Sequence, residues 1–181
     1  MKNYLFLLLI ATCISLSGCR GENQELHSKD VGQKESQLDK IILDVVVNKD
    51  DNFSLYYTTD GSIDFKQTNP IWVPVQGKKE VQQVTFELPE DVHLPQLRLD
   101  FGTNKEQEDI ILKAVTIVYG QKIRTLKGPE VFRHFRPDYT RCKANRSTGT
   151  LKGIVRGGVK FSPSLYPNEK VLAKLMLELS Q

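Results

Sequence analysis

Lys40–Val47 reads KIILDVVV, and Ile41, Leu43, Val45 and Val47 fall on one side of an extended chain. Alternation at period two marks a strand with one buried face. The pattern recurs downstream. Phe53, Leu55 and Tyr57 share a face after the turn Asn48-Lys49-Asp50-Asp51, and Asp60-Gly61 ends that strand with a turn dipeptide. Ile71, Val73 and Val75 alternate with Trp72, Pro74 and Gln76. Pro74 predicts an edge strand, because proline has no N–H to give to a ladder. Val84, Phe86 and Leu88 form a further face ended by Pro89, and Leu97, Leu99 and Phe101 another ended by Gly102.

The stretch 110–119 breaks the rhythm. Ile110, Leu112 and Ala114 share one parity, then Val115, Ile117 and Tyr119 take the other. A β-bulge near Lys113–Val115 would put both sets on the core side; a strand buried on both faces is the alternative. Six short strands with Gly, Pro and Asp punctuation predict a mainly β protein, an antiparallel jelly-roll-like β-sandwich. One or two short C-terminal helices complete it. Gly128–Phe135 has Pro129 suited to a first turn. In 168–179, Val171, Leu172, Leu175 and Leu179 recur at helical spacing behind Asn168, a candidate N-cap.

The N-terminus points to export. Lys2 precedes an apolar run, Tyr4–Leu16, too short for the roughly 20 residues a membrane-spanning helix needs. The run ends in Leu16-Ser17-Gly18-Cys19, which resembles the bacterial lipobox. That resemblance implies a signal peptide over 1–18 and a lipid on Cys19, anchoring the protein to a membrane. Each buried CH₂ contributes about 0.8 kcal/mol, so two or more acyl chains hold firmly. No acidic cluster follows Cys19, and the expected location is the cell envelope, at the outer membrane facing the periplasm. Residues 19–39 are polar and read as a flexible tether; 40–181 suffice for one domain. Of three cysteines, Cys13 lies in the signal peptide and Cys19 carries lipid, leaving Cys142 with no partner for a disulfide. Beside Arg141 and Lys143 its thiol would be reactive if exposed, and an incidental cysteine if buried.

Residues 53–57 (FSLYY), 83–89 (QVTFELP), Leu97-Arg98-Leu99-Asp100-Phe101-Gly102 and 110–117 together resemble the β-sandwich modules, similar to carbohydrate-binding modules, of Bacteroides-type cell-envelope proteins. The resemblance spans roughly residues 41–120 and departs from the commonest pattern at Phe101, where a proline often stands. It implies the fold more strongly than sugar binding. It brings no catalytic residues.

A glycan site needs an aromatic face and planar polar side chains. Tyr56, Trp72, Arg98 and Asp100 all alternate away from the core and are the candidate ligand residues. The competing expectation is that the aromatics fill a crevice and that Arg98 and Asp100 form a structural ion pair. His27, His93 and His134 are too scattered to hold a metal, and no HExxH, CxxC, nucleophile elbow or phosphate loop occurs. Asn104, Glu106, Glu108 and Asp109 read as a solvated acidic loop, lacking EF-hand spacing. No enzyme activity, cofactor or metal is therefore expected.

Charge is uneven. Residues 21–120 hold ten basic and eighteen acidic side chains, a net of −8, while 121–181 hold thirteen and four, a net of +9. The basic part, with Arg133, Arg136, Arg141, Lys143 and Arg146, interleaves Phe132, Phe135 and Tyr139. Export argues against nucleic acid; anionic lipid or acidic glycan is a more reasonable partner. Alternatively, the basic segment packs on the acidic sandwich and neutralises it. Two functions follow: a tethered module that binds a glycan or envelope component, or a structural lipoprotein that docks another envelope protein.

Overall fold

The computed structural model describes residues 38–66, 70–90, 92–93 and 95–181. The signal-like segment, Cys19 and nearly all of the tether lie outside the described residues. Strands and helices follow in the order β1 (Lys40–Val47), β2 (Asp51–Thr58), β3 (Ile71–Val75), β4 (Lys78–Glu87), β5 (Gln96–Asp100), β6 (Ile110–Tyr119) and β7 (Lys122–Lys127). Then come α1 (Val131–His134), β8 (Phe135–Pro137), β9 (Cys142–Asn145), β10 (Thr150–Gly153), β11 (Val155–Arg156), β12 (Val159–Lys160), β13 (Ser164–Pro167) and α2 (Glu169–Ser180).

One sheet has the order β4-β1-β6-β10-β9, with β7 also on β6; the other is β3-β2-β5-β13-β8. The pairs are antiparallel. Ile41, Leu43 and Val45 from the first sheet and Phe53, Leu55, Leu97 and Leu99 from the second belong to one buried cluster, so the two sheets form a β-sandwich. The chain changes sheet between β1 and β2, β3 and β4, β4 and β5, and β5 and β6, which gives the sandwich its jelly-roll-like character. Pro74 sits on the edge strand β3.

The parity break in β6 is a bulge. Asp44 faces Ala114 and Val45 faces Leu112, so Lys113 has no counterpart on β1 and points to solvent. Ile110, Leu112, Val115 and Ile117 all reach the core as a result, while Ala114, also buried, lies level with Asp44.

Residues 121–181 are woven into both sheets and do not form an appendage. β7, β9 and β10 extend the first sheet, while β8 and β13 extend the second. Strands of two to four residues are too short to display a period, which hid them from a reading by alternation. Among the described residues, the basic segment therefore packs against the acidic one, without close ion pairs between the two. Arg124 pairs with Glu130 and Lys174 with Glu178, both inside the segment.

The C-terminal helix α2 buries Leu172, Leu175, Met176 and Leu179 and leaves Val171 outward. Asn168 starts it with its backbone carbonyl, which accepts from the N–H groups of Val171 and Leu172. Its side chain makes no N-cap bond. The amide nitrogen instead donates to the Arg133 carbonyl at 2.6 Å, supplying a free carbonyl at the end of α1. Asn168 thus joins the two helices.

Candidate functional site

The outward face of the second sheet receives all four candidate residues. Side chains of alternate residues on a strand share a face, and the register sets neighbours side by side. Tyr56 on β2 faces Arg98 on β5, and Ser54 faces both Trp72 on β3 and Asp100 on β5. On the far side Ser164 faces Asp100, and Tyr166 faces Arg136 on β8.

The outcome is a ladder of alternating rings and cations. The Arg98 guanidinium carbon lies 4.7 Å from the Tyr56 ring centre and 4.8 Å from that of Tyr166, so the cation is held between two rings. Arg136 lies against Tyr166 at 5.3 Å. Such contacts contribute about 0.5–2 kcal/mol each, most where water is excluded. Arg98 also binds Asp100 with both nitrogen–oxygen arms, Nε to Oδ1 at 2.9 Å and Nη2 to Oδ2 at 2.5 Å. Ser164 Oγ donates to Asp100 Oδ1 and accepts from Arg98 Nε at 3.3 Å. Arg98 and Asp100 are each 15% exposed. Burial alone would favour loss of the Arg98 proton, but the hydrogen bonds and charge of Asp100 outweigh it and raise the pKa above the ordinary value.

The loop after β2 covers part of this face. Phe65 is buried and meets the Tyr166 ring edge to face at 5.9 Å, so its segment reaches over β5 to β13. Ser54, between the Trp72 and Asp100 positions, is also buried, and its Oγ makes no hydrogen bond among the described residues. Trp72 alone of the four stays open, at 51% exposure on the edge strand. The structure therefore brings Arg98 into contact with both Tyr56 and Asp100 and leaves Trp72 two strands from Asp100, across Ser54. Tyr166, Ser164 and Phe65 complete the ladder and were not singled out by sequence, while Arg136 was named there only as part of the basic segment. The outward alternation of Ser164 and Tyr166 was the available signal, but it spans only four residues.

Beyond the end of this face, the loop after β5 is organised by a buried carboxylate. Asp51 Oδ1 accepts from the N–H groups of Thr103 at 2.6 Å and Asn104 at 3.0 Å, and Oδ2 accepts from Gln107 Nε2 at 3.0 Å. Gly102 adopts φ +95°, and a Cβ there would lie 2.2 Å from Asp51 Oδ2. The acidic loop is thus pinned from below. Asn104 Oδ1 accepts from the Glu106 N–H, Glu106 pairs with Lys49 and Glu108 accepts from Asn48. A shallow hollow beside it is lined by Asp50, Asn52, Pro74, Gln76 and Asn104. Its polar groups already serve the loop: Asp50 accepts from the Gly77 N–H, and Asn104 Nδ2 donates to the Asp50 carbonyl.

Other reactive side chains are enclosed. Cys142 is fully buried, its Sγ donates to the Ser164 carbonyl at 3.7 Å, and burial raises its pKa. His134 is nearly buried, with Nδ1 3.0 Å from the Glu130 carbonyl oxygen. Among the described residues no group of three or more His, Cys, Asp and Glu side chains is placed to hold a metal ion. Nor is any helix there long and apolar enough to cross a membrane. Compared with protein-family models, curated proteins and solved structures, the chain matches none.

Proposed function

We propose that this protein is a non-catalytic lipoprotein of the bacterial cell envelope, tethered through Cys19, whose sandwich docks another envelope component by surface contact. The ladder on the second sheet carries this reading. Arg98 and Asp100, the polar groups best suited to sugar hydroxyls, satisfy each other, and both flat faces of the guanidinium are occupied by tyrosines. A sugar would have to break a bidentate pair to gain weaker, neutral hydrogen bonds.

The glycan reading keeps one support, the exposed Trp72, an aromatic with an open face on an edge strand. A glycan array together with affinity purification from envelope extracts separates the two. Recovery of a specific envelope protein without glycan binding supports docking. A glycan bound by the wild type and lost on Trp72→Ala replaces it. The tether has its own test: Cys19→Ala should shift the protein out of the lipid-modified membrane fraction, and unchanged lipid labelling would refute the anchor.

A further inference from the structure

The end of the sandwich around the β11–β12 hairpin is rich in cations that make no ion pair among the described residues. Residues 136–160 hold seven Lys or Arg and one acid, Asp138. That acid is turned onto its own loop, where Oδ1 accepts from the N–H and Oγ1 of Thr140. Lys143 and Lys152 face each other across β9 and β10, both exposed. Arg146 bonds the Tyr139 hydroxyl at 3.1 Å, and Arg156 the Thr140 carbonyl at 3.3 Å. Neutral acceptors orient these cations without cancelling their charge. Among the described residues none of the four makes an ion pair.

The same end exposes apolar groups. Tyr139 is 61% exposed, Val155 64% and Val159 51%. The hairpin turns through Gly157 and Gly158, both at positive φ, the two-residue turn that matches the twist of a tight ribbon. Val155 pairs with Lys160 and Arg156 with Val159. Neighbours on a strand point to opposite faces, so the two valines lie on opposite sides of this thin ribbon, Val159 beside Arg156 and Val155 beside Lys160, whose ammonium is turned onto the Gln107 carbonyl. A flat protein partner would cover one side only. A fluid medium closes around both.

We propose that this end binds an anionic phospholipid surface, with the cations among the headgroups and the hairpin tip dipping to the acyl boundary. Charge complementarity selects the bilayer over a neutral one, and the two-sided valines select it over a folded acidic partner. This contact belongs to the folded domain and is independent of the lipid on Cys19, so either proposal can fail alone.

Every described strand and helix lies within 40–180, so the chain from Arg20 onward keeps all the described elements. That chain is sedimented with vesicles of phosphatidylcholine alone and of phosphatidylcholine with phosphatidylglycerol, at low and high salt. Binding is expected only to the anionic vesicles and should fall with salt. Each cation near such a surface is worth a factor of about five in partitioning, so Lys143→Gln with Lys152→Gln should lose roughly 25-fold. Val155→Ser with Val159→Ser should weaken binding several-fold at unchanged charge, while soluble polyglutamate binding stays constant. All four positions are exposed, and an unchanged melting temperature confirms that each variant is folded. Equal partitioning to both vesicles, or no effect of the lysine pair, overturns the proposal. So does polyglutamate binding that matches vesicle binding and falls with the valines.

Discussion

Arg98 and Asp100 stand two residues apart on β5 and bind each other through two parallel hydrogen bonds on a face that Tyr56, Tyr166 and Phe65 close over. A pair held this way is a structural element with a measurable signature. Removing one partner leaves a charge in a poorly hydrated place, whereas replacing both with apolar groups need not destabilise. Asp100→Ala should therefore cost about 3 kcal/mol in urea unfolding, and Arg98→Met with Asp100→Leu should cost less than Asp100→Ala alone. An additive double mutant would mean the two side chains do not depend on each other.

Gly102 and Asp51 form the second test. Gly102→Ala meets both a left-handed backbone and the Asp51 carboxylate, and should cost about 2 kcal/mol. Asp51→Ala strips the acceptor from two backbone N–H groups. Hydrogen exchange at the Thr103 and Asn104 amides should accelerate in both variants while the β1 amides stay protected. Uniform acceleration across the domain would show that the carboxylate holds more than its loop.

Deleting Lys113 tests the bulge. With the extra residue gone, either Ile110 and Leu112 or Val115 and Ile117 must turn outward, because a one-residue slip reverses the face of every side chain beyond it. Losing two fully buried aliphatic side chains from the core is expected to cost more than about 4 kcal/mol. The deletion should fail to give a cooperative unfolding transition, whereas Lys113→Ala, which keeps the count, should unfold like the wild type.

Cys142 gives a pH prediction. An unfolded thiol ionises near about pH 8.5, and burial raises the folded value, with Asp138 adding to this and Arg141 and the Ser164 and Asp138 backbone opposing it. The folded state keeps its proton where the unfolded state has lost one. The thiol's contribution is intact below about pH 8.5 and is lost as pH rises through the folded pKa. Melting temperature should fall between about pH 8 and about pH 10, and Cys142→Ala should flatten part of that fall. Native protein should also react with a thiol reagent only as fast as it opens.

Long alternating strands were legible because burial on one face leaves a period that survives in one dimension. The core faces of β1, β2 and β5, the Pro74 edge and the bulge at Lys113 all came from that signal. The outward positions of Tyr56, Trp72, Arg98 and Asp100 came from it too. What alternation does not carry is register between distant strands. Tyr166 meets Arg98 only because β13 pairs with β5, and nothing local in SLYP announces that partner. Likewise Asn168 has the chemistry of an N-cap, but its amide finds the carbonyls of α1 through tertiary packing. The uneven charge was visible as a count. That the cations of 136–160 would make no ion pair among the described residues depended on where the short strands β9 to β12 fell.

β1 is flanked along its length by β4 and β6, and its two ends face different neighbourhoods. Lys40 lies level with Val118, while the Val47 end adjoins Gln107, whose carbonyl accepts from Lys160 of the hairpin. β1 thus begins at the end opposite the one that adjoins the hairpin. A pull on Lys40 directed away from the hairpin would run along the strand, and antiparallel hydrogen bonds lie across that direction. Such a load would fall on them together, in shear, and would not open them one by one.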